Sequence, residues 1–289
     1  MTSGMTADGA ASRAASVSAV DVFYIAFRDY GLEPLKRFLE SYRRWPAECP
    51  HTLTIALKGY SGSVDTAVAR ELCRDVGAQA IEVPDGGLDI GTYCHLAAQS
   101  RAATLCLMNS NAEILGDAWL AKLVGALNEQ GGGAVSATGS WESLASDHLR
   151  PRSWRPTATL RQVWHYSCAW RDFPAFPNAH LRTNALAIAR DDWLGLGMIQ
   201  PAGKEAAWRF ESGRRGLSGM LGHRGAALRI VGRDGRGYVP DDWDRSGTFW
   251  QGEQENLLIG DNQTRRYQDG TPALRAELRA LAWQTPLRF

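Results

Sequence analysis

The sequence predicts an α/β fold: a mostly parallel sheet flanked by helices, with a C-terminal elaboration. Three observations predict it. Short apolar runs rich in β-branched and aromatic residues alternate with stretches of helical spacing. One such run, TLCLM at Thr104–Met108, stops abruptly on the small polar triplet Asn109, Ser110, Asn111. In open α/β sheets, ligands bind outside the carboxyl ends of the strands, so this triplet marks a candidate site. Finally, 289 residues with 44% hydrophobic content give interior enough for a substantial core.

The elements follow in order. VDVFYIAF, Val20–Phe27, reads as the first strand, and Arg28 to Gly31 as its exit loop. Leu35, Phe38, Leu39 and Tyr42 recur at helical spacing over Leu32–Trp45, with Pro34 at a tolerated early position. Thr52–Leu57 is the second strand, KGYSGS a loop, Val64–Val76 a helix with Gly77 as its C-cap, and Ala80–Val83 a third strand. PDGGLDIGTY, Pro84–Tyr93, is a Gly-rich acidic loop ahead of a helix at Cys94–Ala103. After the Asn-Ser-Asn strand come a helix at Leu115–Leu127, a brief strand at Ala134–Ser136 and the polar loop TGSWES. From His148 to Pro177 arginines interleave with Trp and Pro, which reads as a helix (Thr159–Ala169) plus a lid-like insertion. FPNAHLRT leads into a strand at Asn184–Ala189, and Asp191 and Asp192 begin another helix. FESGRRGLSGML, a strand at Ala227–Val231, an aromatic and amide-rich stretch from Trp243 to Thr264 and a helix at Pro272–Trp283 complete the chain.

Residues 1–19 read as a disordered tail and 20–289 as a single domain, with halves at 20–147 and 148–289. The formal net charge of +1 provides no global field toward nucleic acid or an anionic membrane. Five scattered cysteines without a CxxC pair suit a reducing cytoplasm, and no apolar run reaches the length of a membrane span. Of the 11 tryptophans, Trp141, Trp154, Trp164, Trp170, Trp243 and Trp250 lie in polar surroundings. Each is expected to close the core of a loop-rich region rather than to stack on a ligand.

The order of these segments, with LMNSNAEIL, SATGSWES, FPNAHLRTN, FESGRRGLS and GDNQT, resembles family-2-type glycosyltransferases of the glycosyltransferase A fold. The likeness extends to a bacterial surface-polysaccharide glycosyltransferase-like group, and covers about Val20 to Val231. It implies transfer of a sugar from a nucleotide diphosphate donor to the hydroxyl of a glycan or lipid-linked acceptor. It implies a cytoplasmic protein, peripheral at the inner membrane where the acceptor is lipid-linked. Asn109-Ser110-Asn111 matches the family's Asp-x-Asp, which holds a divalent cation against the donor phosphates. Two amides suit Mg²⁺ or Mn²⁺ less well than two carboxylates. Either Glu113 and His180 hold the metal beside Asn109 and Asn111, or His180 and Arg182 stabilise the leaving diphosphate without one, and Asn109, Ser110 and Asn111 serve as donor-binding residues that bond ribose or donor-sugar hydroxyls. Phe27, Arg28 and Asp29, and the loop residues Asp85, Gly87, Asp89 and Gly91, match the regions that hold base and ribose. Glu211 stands where the family keeps its acceptor-deprotonating acid, and Asp261 in GDNQT is a second candidate.

Eroded carboxylate motifs also fit a non-catalytic nucleotide- or sugar-binding domain of the same fold. A nucleotidyltransferase would need a basic Gly-rich loop after the first strand, which RDYGLEP does not supply. The first βα turn lacks the closely spaced glycines of a dinucleotide-binding oxidoreductase.

Overall fold

The computed structural model describes residues 20–147, 169–197 and 203–284. The expected tail at 1–19 and most of both the helix at Thr159–Ala169 and the lid-like insertion fall outside the described residues.

The first strand, β1 (Val20–Phe27), is buried on both faces, which explains its continuous apolar sequence. Its side chains alternate between two cores. Val22, Tyr24 and Ala26 face α1 (Glu33–Arg44), α2 (Asp65–Arg74) and α4 (Trp119–Glu129). Phe23 and Ile25 face α3 (Leu88–Gln99) and the C-terminal part of the chain. Tyr24 stacks on Phe38 of α1 at a centroid distance of 4.0 Å.

Strands β2 (Thr52–Lys58), β3 (Gln79–Val83) and β4 (Thr104–Met108) join β1 in parallel. After a two-residue strand, β5 (Glu113–Ile114), the chain passes through α4 to β6 (Ala134–Ser136) and β7 (Gly139–Ser140). A short α5 (Leu144–Asp147) follows, then β8 (His180–Leu181) and β9 (Ala185–Ala189). Next come α6 (Arg190–Gly195), α7 (Lys204–Ser212), α8 (Leu217–His223), β10 (Leu228–Val231) and β11 (Gly237–Tyr238). The described chain closes with β12 (Ile259–Gly260), α9 (Asn262–Gln268) and α10 (Pro272–Trp283).

The main sheet has eight strands in the order β11-β10-β6-β9-β4-β1-β2-β3. Six run in one direction; β9 and β11 run against them. The fold class is the one expected, α/β with a mostly parallel sheet flanked by helices. β9 slots antiparallel between β4 and β6, with Leu105 opposite Ile188. Two small antiparallel pairs, β5 with β12 and β7 with β8, tie the C-terminal part to the sheet's edge.

Two helix starts differ from the sequence reading. α3 starts at Leu88, not Cys94, so Asp89 and Gly91 belong to a helix. The Gly-Gly pair hides this start, because both Gly87 and Leu88 take left-handed backbone angles, φ 77° and 50°. The helix expected from Leu115 starts at Trp119, because the chain first adds β5. FESGRRGLSGML, to which the sequence reading gave no element, holds the end of α7 and the start of α8, parted at Gly213–Gly216. The expected burial of aromatics holds for Trp243 and Trp250, whereas Trp170 is exposed. Cys73 and Cys106 are buried, and burial pushes their thiols up to about 11 and about 12.

Candidate functional site

Because β9 opposes its neighbours, its amino end meets the carboxyl ends of β1, β2, β4 and β6 at one edge of the sheet. Phe27, Lys58, Asn109, Thr183 and Asn184 gather there.

The Asn-Ser-Asn triplet is a tight turn. Asn109 Oδ1 accepts the Asn111 N–H (3.0 Å), and its carbonyl accepts the Ala112 N–H (3.1 Å). Tyr24 donates its hydroxyl to the Ser110 carbonyl (2.7 Å). The Asn109 N–H donates to the Asn184 carbonyl at 3.4 Å. Asn184 is itself buried, accepting from Thr138 Oγ1 (2.6 Å) and donating to the Ile259 carbonyl (3.1 Å). Glu113 pairs with Arg265 at 3.0 Å, and Arg265 also reaches the Asn111 carbonyl at 3.4 Å.

A hard divalent cation needs several anionic or carbonyl oxygens directed at one point. Here Asn109 Oδ1 is committed to its own turn, and Glu113 to a guanidinium. His180 directs Nδ1 at the Asn178 carbonyl (2.8 Å). Among the described residues no group of three or more His, Cys, Asp or Glu stands ready to hold a metal. At the triplet the described residues thus offer two neutral amides where the family resemblance implies two carboxylates.

The expected base and ribose region is assembled from three loops. Gly59, at φ +76°, lets them meet: a Cβ there would lie 3.2 Å from Asp85 Oδ1 and 3.5 Å from Arg28 Cβ. Arg28 Nε donates to Ser63 Oγ (3.0 Å), and Phe27 meets Tyr30 edge to face at 5.3 Å. Asp29 and Asp85 are exposed. Gly87 is the left-handed residue ahead of α3, and Gly91 is buried inside it, donating its N–H to the Gly87 carbonyl (2.7 Å).

Lys58 was not among the expected site residues. It is 2% exposed and donates to the Gly86 carbonyl (3.0 Å), the Leu88 carbonyl (2.7 Å) and Thr92 Oγ1 (3.2 Å). It therefore clamps the left-handed turn. Burial lowers its pKa, while Asp89 and Asp85 pull it back up. Burial raises the pKa of Asp89; Lys58 opposes that rise and the negative charge of Glu211 adds to it.

Glu211 lies on α7 and accepts two hydrogen bonds at Oε1, from the Thr183 N–H (2.9 Å) and hydroxyl (2.7 Å). It lines a cavity of about 390 Å³ together with His180, Arg182, Trp208, Phe249 and Arg266. The structure thus brings together three of the expected residues. With Nδ1–H donated to Asn178, neutral His180 keeps its lone pair on Nε2. Burial lowers its pKa, with the carboxylate of Glu211 acting against that fall.

Arg182 lies against the Phe249 ring, 4.1 Å from its centroid, and donates to Thr138 Oγ1 (3.3 Å) and Asp261 Oδ2 (2.8 Å). Asp261 is wholly buried. Its Oδ1 caps α9 by accepting from the N–H groups of Gln263 (3.0 Å) and Thr264 (2.9 Å). Its carboxylate is therefore committed to a helix and to Arg182. Thr183, Arg265 and Arg266 complete the residues missed by sequence reasoning. The partners of Thr183 and Arg265 lie far along the chain, and spacing carries no signal for such pairs.

No known protein-family model matches the chain, and no curated protein matches its sequence. Solved structures do resemble it. A mannosyltransferase from Pyrobaculum calidifontis, in complex with GDP-Man and Mn²⁺, is 13% identical with a TM-score of 0.38, over 62% of this chain and 47% of that one. GalNAc-T7 with UDP, GalNAc and Mn²⁺ is 14% identical with a TM-score of 0.46, over 78% and 43%. A CMP:2-keto-3-deoxy-manno-octonic acid synthetase with CTP is 10% identical with a TM-score of 0.41, over 73% and 88%. The chain spans under half the length of the first two. At such identities and scores these likenesses assign no function.

Proposed function

We propose that the protein transfers a sugar from a nucleotide diphosphate donor to an acceptor hydroxyl, with Glu211 as general base. The observation that carries this reading is Glu211 itself. One carboxylate oxygen is fixed by Thr183, just ahead of β9, on the wall of a cavity that His180, Arg182 and Arg266 also line. The acceptor oxygen forms a bond to the anomeric carbon as the carbon–oxygen bond to the diphosphate breaks. The acceptor proton goes to Glu211, and the nucleoside diphosphate leaves with the bonding electron pair. Arg182, held by Asp261, and Arg266 on the same cavity supply positive charge toward the leaving group. Arg28, Asp29, Asp85 and Asp89 form the nucleotide side. Residues 20–147 make up the donor half and 148–289 the acceptor half. The setting we propose is bacterial polysaccharide or glycoconjugate synthesis, in the cytoplasm or at the inner membrane, on a glycan or lipid-linked acceptor.

Two neutral amides in place of the family's two carboxylates favour transfer without a divalent cation. They equally suit a non-catalytic nucleotide- or sugar-binding domain. A panel of nucleotide-sugars, with and without EDTA, separates these readings. Transfer or donor hydrolysis that survives EDTA is the expected result. Binding without turnover supports the non-catalytic domain, and no binding of any donor removes both.

A further inference from the structure

Two further concavities continue from the Glu211 cavity. His180 and Ser212 line both that cavity and a second of about 580 Å³. Arg214 and Arg215 line the second and a third of about 730 Å³. The three cavities adjoin at these shared residues, and together they are called the groove below. None is lined by the loops after β1, β2 or β3, where the nucleotide is expected.

The far end of the groove is basic. Arg171 and Arg209 both reach Asp172 at 2.8 Å, and Arg209 also meets Glu205 at 3.5 Å. Arg171 holds the Asp172 carboxyl below the usual range, so this acid stays ionised and offsets part of the charge. Arg214 and Arg215 are exposed and form no ion pair among the described residues. The backbone is shaped to present them. They are the middle of a Gly-Arg-Arg-Gly turn between α7 and α8. A Cβ at Gly213 would lie 2.4 Å from the Arg209 carbonyl oxygen, and one at Gly216 2.3 Å from that of Phe210. The Arg214 N–H donates to the Asp172 carbonyl (2.9 Å), and Asn178 Nδ2 donates to the Ser212 carbonyl (2.8 Å). Two neighbouring arginines on such a turn offer the planar, multi-donor guanidinium groups that suit phosphate oxygens.

We propose that this basic end binds a phosphate or pyrophosphate group carried by the acceptor, whose hydroxyl reaches Glu211 through the middle cavity. The hydroxyl end of this assignment rests on the transferase reading; the anion end rests on the arginine turn. The carrier is either a polyprenyl pyrophosphate lipid or a soluble glycosyl phosphate.

The test uses the full chain and the double variant Arg214→Gln/Arg215→Gln, whose side chains are exposed. Calorimetric titration with inorganic pyrophosphate is run beside titration with a nucleotide-sugar panel. The double variant is expected to bind pyrophosphate at least about tenfold more weakly, with donor affinity unchanged. Equal pyrophosphate affinity in the two proteins overturns the proposal. Loss of donor affinity in the variant also overturns it, because the turn would then hold the donor's diphosphate. If the variant loses pyrophosphate binding but the wild type binds no donor, the anion site stands and the transferase reading falls. Arginine-dependent flotation with vesicles containing polyprenyl pyrophosphate, against plain vesicles, supports the lipid carrier. Arginine-dependent binding of a soluble glycosyl phosphate alone supports the free one.

Discussion

Lys58 and Asp89 show how single side chains shape this site. A lysine before a glycine reads as an exposed loop, and the apolar run TLTIAL ends just before it. Only in three dimensions do the carbonyls of Gly86 and Leu88 converge on its ammonium group. Asp89 was legible as a polar residue near the donor, but not as an acid whose pKa is raised by burial and by Glu211. A raised folded-state pKa means that the Asp89 contribution is fully present below the unfolded carboxyl pKa. It is lost as pH rises through the folded value. Asp89→Asn should therefore be more stable than the wild type at pH 7.5, with the gap closing near pH 4, while donor binding weakens. Urea midpoints at the two pH values check the first part. Equal midpoints at pH 7.5 would contradict it.

At the scale of elements, apolar runs revealed the strands, because buried strands leave a continuous signature. The start of α3 was missed because a left-handed Leu88 follows a left-handed glycine, and sequence spacing does not report backbone angles. The sequence reading gave FESGRRGLSGML no element; the glycines of GRRG, which part α7 from α8, are needed by packing rather than by local propensity. Asp261 was visible as a polar residue of interest, yet its capping box and its bond to Arg182 emerge only from the fold. Asp261→Ala should cost about 3 kcal/mol by removing a cap and leaving Arg182 unpaired. Asp261→Asn keeps a capping oxygen and should cost roughly half that. Thermal and urea unfolding of both variants checks the order; equal losses would show that the cap contributes nothing separate from the ion pair.

For the whole molecule, alternating strands and helices indicated the fold class, but not that β9 enters the sheet backwards. An apolar run such as ALAIA has no direction in its composition. That reversal brings Thr183 to the edge where it fixes Glu211, so the geometry of the candidate base depends on a feature the sequence does not display. The segment 148–168, expected as part of a lid, lies outside the described residues. The central claim is that Glu211 deprotonates the acceptor. Its most direct test is single-turnover transfer by Glu211→Gln, with donor affinity measured on the same sample. The account predicts a rate lower by about 10²–10⁴-fold and an unchanged donor Kd; turnover equal to that of the wild type would contradict it.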